Sequence, residues 1–513
     1  MTACPITPII ASAEEIEIEA FERLKPRLGT LWDTVFPGDE EAYTSVIVPS
    51  LTLDQAEMAK IPAIHWYEER LLFLLMRLRN PQARVVYVTS QPLHPVVLDY
   101  YLQLLAGIPA SHARARLTLL CVYDSSPRSL TEKILERPRV IERIRASIPD
   151  SQRAYLTVYN STPLERRLAV KLDIPLNAPD PRLIGYGSKS GARTLFADIG
   201  VDRPYGRENL HTVDDIVNAL VVIQTARPEA RRALLKLNDG FSGEGIARFE
   251  YPPVADAVSI RQALNHLRFS IESESVDTFL SKFAAGGGVA EELIEAREVR
   301  SPSVQLRINP RQDVILASTH EQILGGPCKQ VFLGCVFPAD DDYRIELQRQ
   351  ALIIGEALAA RGVIGRLSVD FLATRNEPME PWRLSAIEIN LRMGGTTHPT
   401  LALRFLTGGE VDRTTGLLHG LDGQPKFYRA SDNVQSEAYR GLLPEDLIEI
   451  VTMNRLDFNH RTTTGVVFHM IGAVSEFGKF GMTAIANSRE EAERLFTRTI
   501  DVLDRETRGG QDA

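Results

Sequence analysis

Between Thr44 and about Asn160, short apolar runs alternate with longer stretches in which apolar residues recur every three to four positions. The runs SVIVPS, RVVYVTS, LTLLCVY and AYLTVYN have the length of buried strands, whereas 53–79 and 130–147 carry helical periodicity. A parallel sheet covered by crossover helices requires this alternation. The first 180 residues are therefore expected to form an α/β unit. No G-x-G-x-x-G follows any of its strands, so no dinucleotide site is assigned to it. A proline-rich connection from Pro175 to Pro181 marks a boundary, because such residues favour extended linkers. Beyond it the pattern predicts helices over 189–199, 214–225 and 345–360, and a strand over 233–237 that runs into a glycine-rich loop, an α+β texture. From about Phe427 a strand over 465–471, a turn at 477–481 and a helix over 489–504 predict a small third unit.

Composition adds limits. A chain of 513 residues exceeds one compact core, and about 150 residues per domain implies about three. Lys plus Arg total 58 against 67 Asp plus Glu, a net charge of −9, which argues against nucleic acid or an anionic membrane as the main partner. Cys4, Cys121, Cys328 and Cys335 are scattered and form no C-x-x-C pair, as reduced thiols would. The N-terminus does not resemble a secretory signal, and the apolar run 71–76 is far below the roughly 20 residues that span a bilayer. A soluble, cytoplasmic protein is expected, with a homodimer as the base-rate assembly.

Two constellations carry chemistry. In the first, Lys236 ends a strand and is followed by Gly240, Ser242, Gly243 and Gly245. Backbone N–H groups of such a loop approach phosphate oxygens without Cβ obstruction, and the lysine adds a point charge. A surface hairpin with incidental glycines has the same composition. The lysine precedes the glycines, so the loop is not a P-loop. In the second, Asp370 lies on one predicted hairpin arm while Glu388 and Asn390 lie two apart on the other, projecting from one face. Two carboxylates and an amide oxygen form a hard, oxygen-only set suited to Mg²⁺ with substrate phosphates. The alternative is a hairpin whose solvent face they merely line. The continuation Arg392-Met-Gly394-Gly395-Thr-Thr-His398-Pro supplies backbone donors for a developing oxyanion. His398 and His469 read as structural histidines, the latter a satisfied core residue, and Tyr67-Glu68-Glu69-Arg70 as an interface or salt-bridge element.

The order Lys189, Lys236 with its loop, Ala290-Glu291-Glu292-Leu293-Ile294 followed by Glu298, and Asp370 with Glu388 and Asn390 resembles the successive elements of the ATP-grasp superfamily over 189–399. More closely, SVDFL and EINLRMGGTTHP, with YEERLL before them and TGVVFHMIGA after, resemble the pheganomycin-type peptide ligases over nearly the whole chain. The resemblance implies an N-terminal Rossmann-like pre-ATP-grasp domain (1–180), an ATP-grasp domain (181–424) and the family's small C-terminal α+β domain (425–513). It also implies that Lys189 and Lys236 contact the phosphates of ATP and that Gly240 to Gly245 close over them. Backbone groups of Glu292 and Ile294 would read the adenine, with Glu291 at the start of that hinge, and Glu298 would take the ribose. Asp370, Glu388 and Asn390 would hold two Mg²⁺ ions, with Arg366 or Arg392 and the N–H groups of Gly394 and Gly395 stabilising the reacting centre. The implied reaction joins a small-molecule carboxylate, an amino acid or modified amino acid, to an amino acid or peptide amine through an acyl phosphate, in specialised metabolism. A phosphotransferase using the same cleft and a nucleotide-binding protein without turnover are the competing readings.

Overall fold

In the computed structural model, residues 12–35, 41–53, 58–59, 61, 64–240, 245–269, 274–325 and 331–508 are described. The apolar runs of the N-terminal third form a four-stranded parallel sheet in the order Leu117–Cys121, Ala83–Thr89, Tyr43–Val48, Ala154–Val158. Tyr43–Val48 is buried at every position, as a central strand covered on both faces must be. One face packs on the helices Leu130–Leu135, Pro138–Ala146 and Pro163–Leu172, and the other on Ile64–Arg79. The single helix expected over 130–147 is broken at Pro138, whose missing N–H suits the first position of a new helix. Of the periodic stretch 53–79, the continuous element is the 3₁₀ helix Ile64–Arg79; 54–57, 60 and 62–63 lie outside the described residues.

Two further sheets follow. An antiparallel five-stranded sheet has the order Gly206–Leu210, Gly288–Glu292, Arg232–Leu237, Ile246–Glu250, Arg268–Phe269 and carries helix Val213–Ala226. The other has eleven strands and is built around Gly365–Arg375, which pairs with Pro302–Ile308 on one side and Arg383–Asn390 on the other. Helices Lys189–Asp198 and Arg344–Ala359 bury their apolar sides against this sheet. The C-terminal strands Pro425–Gln435, Gly465–His469 and Lys479–Ala486 extend the same sheet, since Cys335 to Phe337 pair with Tyr428 to Ala430. The turn predicted at 477–481 is a helix end: Val474–Phe477 stops at Gly478 in the left-handed region, and the strand starts at Lys479. No helix among the described residues is long and apolar enough to cross a membrane.

Candidate active site

The hairpin Gly365–Arg375 and Arg383–Asn390 fixes the acidic group. Its register sets Asp370 directly opposite Glu388 and Ser368 opposite Asn390, with a bulge after Asp370. Asn390 donates to Asp370 Oδ2 at 3.0 Å, while Ser303 and Gln322 donate to Oδ1 at 2.6 and 2.9 Å. Burial, with the neighbouring Glu388, pushes the Asp370 carboxyl up to about 6. Glu388 also suffers from burial, but its ion pair with Lys189 and the nearby Arg392 hold it below the usual carboxylate range. Two opposed carboxylates, one of them reluctant to ionise, fit a divalent cation. Asp370, Glu388 and the amide oxygen of Asn390 are the side chains that could hold one.

Across the cavity, Lys236, one residue before the end of its strand, ion-pairs with the buried Glu291, which Arg193 Nη1 also meets at 3.0 Å. Burial alone would raise the Glu291 carboxyl; Lys236 and Arg193 reverse this and lower it. Lys189 opens its helix just after the N-cap Ser188 and lies opposite the acidic hairpin. These groups converge on a cavity of ≈1000 Å³ between the five-stranded and eleven-stranded sheets, where Lys189, Lys236, Gly240, Glu291, Glu292, Ile294, Asp370, Glu388, Asn390, Arg392, Gly394 and Gly395 all line the wall. A Cβ at Gly395 would stand 2.5 Å from the Phe332 ring, so that position has no room for a side chain.

Other expected residues are placed differently. Glu298 is not among the cavity-lining residues; both its oxygens accept from Arg375 at 2.9 and 3.0 Å, because the Glu298–Arg300 strand pairs it with that arginine. Arg366 is also absent from the wall and enters a second cavity, since it sits four residues from Asp370, one end of the strand away. The Gly394 N–H donates to Thr397 Oγ1 at 2.9 Å and is already engaged. Ser242 and Gly243 lie outside the described residues, and Gly245 does not line the cavity but accepts from Leu237 N–H at 2.8 Å. His398 and His469 are buried with ring centroids 3.5 Å apart, and neither nitrogen of His469 finds a partner among the described residues, so it is a core histidine but not a satisfied one.

Sequence reasoning missed one end of the cavity. Tyr67, Arg70, Tyr159, Asp432 and Lys479 line it. Arg70 stacks on Tyr67 with its guanidinium carbon 4.0 Å from the ring centroid, pairs with Asp432 at 2.6 Å and donates to Tyr159 Oη at 3.4 Å. Glu68 and Glu69 of the same segment are buried too, and burial pushes both carboxyls up to about 7. The signal was LLFLLM immediately after YEER: an element apolar on every side is interior, so its charges face a cavity or each other rather than solvent.

Comparison with known proteins bears on the fold and on the relatives of the chain. Residues 183–267 and 265–414 match the family described as IQCH-like, ATP-grasp, and 446–499 match the PGM1 C-terminal domain. Over 460 residues the chain is 28% identical to the L-propargylglycine–L-glutamate ligase of Streptantibioticus cattleyicolor, covering 88% of this chain and 92% of that one. It is 25% identical over 466 residues to the IQ motif-containing protein H of Danio rerio, covering 81% of this chain but only 43% of that longer protein. Among solved structures, a biotin carboxylase–ATP complex from Campylobacter jejuni superposes with a TM-score of 0.54 at 13% identity, covering 90% of this chain and 91% of that one. The resemblance drawn from the motifs holds for the fold and for the peptide-ligase relatives.

Proposed function

We infer that this chain, which carries an ATP-grasp domain followed by a PGM1-type C-terminal domain, is an ATP-dependent carboxylate–amine ligase that makes an amide bond through an acyl phosphate. The observation that carries the reading is the convergence on one cavity of two lysines from one side and the Asp370–Glu388 pair from the other. That arrangement would bracket a triphosphate, with the lysine cations at one flank and an acidic group suited to Mg²⁺ at the other.

A carboxylate is a poor electrophile, because its carbonyl would have to expel oxide. In the first step a carboxylate oxygen attacks the γ-phosphorus of ATP, the bond to the bridging oxygen breaks, and ADP leaves. Lys189 and Lys236 bind and orient the phosphates, and Arg392 offsets charge on the equatorial oxygens; alignment and charge stabilisation are most of what such transfer needs. Mg²⁺, for which we propose two ions held by Asp370, Glu388 and Asn390, would neutralise the β- and γ-phosphate charge. In the second step the amine nitrogen attacks the carbonyl carbon, phosphate leaves with the bonding pair, and a proton departs from nitrogen. The Gly395 N–H, which bonds to no described residue, and Arg392 face the oxyanion. The segment from Gly240 to Gly245 is proposed to exclude water, which would otherwise hydrolyse the mixed anhydride.

By analogy with the ligase from Streptantibioticus cattleyicolor, the substrates are amino acids or close derivatives, and Arg70, Asp432 and Tyr67 form the end that receives them. The division at about 180 and 424, a homodimeric assembly and a cytoplasmic setting, where ATP is supplied, complete the proposal. Incubation with ATP, Mg²⁺, candidate amino acids and hydroxylamine tests it. A hydroxamate formed together with ADP is expected; a stable phosphorylated product in its place would make the protein a phosphotransferase.

A further inference from the structure

Six arginines line a second cavity of ≈610 Å³, and besides Arg79 and Arg392 they are Arg77 from the Ile64–Arg79 helix, Arg307 and Arg366 from paired strands, and Arg404 from the Thr397–Thr407 helix. Arg307 and Arg366 lie directly opposite each other in the register, an arrangement that costs stability when nothing intervenes. Glu410 is the only carboxylate in the described lining; it sits at the rim, 84% exposed, and meets Arg404 at 3.3 Å. Arg77 donates to the hydroxyls of Ser45 and Thr157, Arg307 stacks 4.4 Å from the Trp32 ring centroid, and the Arg366 guanidinium has three arginines, Arg307, Arg404 and Arg77, as its charged neighbours. Burial, with Arg307, Arg404 and Arg77 nearby, lowers the Arg366 guanidinium well below its usual range, and burial brings Arg307 down to about 10. In a chain of net charge −9, such a concentration of cations is local, not a general basic surface.

We propose that this arginine-lined cavity is a second ligand site for a multiply charged oxyanion, a polycarboxylate or phosphate-bearing group, carried by the amine substrate. Guanidinium forks match the planar oxygens of carboxylates and phosphates, and several of them facing one rim carboxylate call for more than one negative charge. Tyr159 and Arg392 line both cavities, so the arginine cluster adjoins the cavity of the acidic hairpin across these two side chains. The assignment to the amine substrate rests on the ligase reading; the binding of an anion does not.

The test is titration calorimetry on the full chain saturated with Mg²⁺ and adenylyl imidodiphosphate, so that the nucleotide cavity is filled, with citrate and pyrophosphate as probes. At least one should bind the wild-type protein, and Arg366→Met should weaken it at least ~10-fold, about 1.4 kcal/mol, while leaving nucleotide affinity unchanged. Tighter citrate indicates a polycarboxylate and tighter pyrophosphate a phosphorylated group. The melting temperature of ligand-free Arg366→Met should equal or exceed that of wild type, because like-charge repulsion is relieved. If that variant does not fold, Arg404→Gln, at a more open position, carries the same comparison. No binding of either probe, or equal binding by the variant, overturns the site. In turnover, the bound anion should compete with the amine substrate and not with the carboxylate donor; the reverse pattern overturns the assignment to the amine. Failure of the wild type to bind nucleotide would instead sink the ligase reading, and the anion titration would still decide this cavity.

Discussion

Replacing Asp370 by asparagine removes one of two opposed carboxylates while keeping its shape and an Oδ1 that accepts from Ser303 and Gln322. The folded protein already holds this carboxyl up to about 6, so the change relieves repulsion and should not lower the melting temperature. ADP release should nevertheless fall at least ~100-fold, because an amide does not supply the charge a phosphate-bound cation needs. Unchanged ADP release in Asp370→Asn and Glu388→Gln would contradict the proposed metal site. Lys236→Met should weaken binding of an ATP analogue about 10-fold or more, a loss of about 1.4 kcal/mol. The fold should survive, since Glu291 keeps Arg193 at 3.0 Å. Calorimetric affinity equal to wild type would place the phosphates elsewhere.

The strand Lys479–Ala486 shows how a packed element constrains its sequence. A Cβ at Gly481 would lie 1.9 Å from Nε2 of His469 on the paired strand, and that ring is wedged against His398. Gly481→Ala should therefore destabilise by about 1–3 kcal/mol, read as a lower urea midpoint; an unchanged midpoint would mean that the ring has room to move. Elements of this kind were legible where one local rule dominated. The parallel strands followed from uninterrupted apolar runs, and the acidic hairpin from two such runs around a polar turn. Which residue faces which was not legible, because a bulge after Asp370 decides that Glu388 opposes it. Nor could periodicity show that Glu298 is claimed by Arg375 or that Arg366 faces other arginines, since both depend on strand order. Tyr67 and Arg70 were visible as a motif, but their burial comes from packing between the N-terminal sheet and the C-terminal strands.

At the scale of the molecule, the C-terminal strands continue the sheet that carries the acidic hairpin, so Asp432 and Lys479 reach a cavity whose lysines lie some 200 residues earlier. This continuity was hidden in the sequence, where the last 90 or so residues read as a separate unit. The same interior buries His320, His398 and His469. Burial brings His320 down to about 3 and lowers the other two well below the usual histidine range. Each is thus neutral in the folded chain but binds a proton below about 6.5 when unfolded, so stability is present above that pH and is lost as pH falls. Between pH 7 and pH 5 each should cost about 2 kcal/mol. In His320→Gln the drop in urea midpoint over that range should be smaller than in wild type; an identical drop would show that His320 does not titrate on unfolding.

The measurement that bears most directly on the account is a structure of the full chain with Mg²⁺ and adenylyl imidodiphosphate. The terminal phosphorus should lie between Lys236 and the Asp370–Glu388 pair, with the adenine against Glu292 to Ile294. A triphosphate seated among Arg77, Arg307, Arg366 and Arg404, with the acidic hairpin empty of metal, would contradict it.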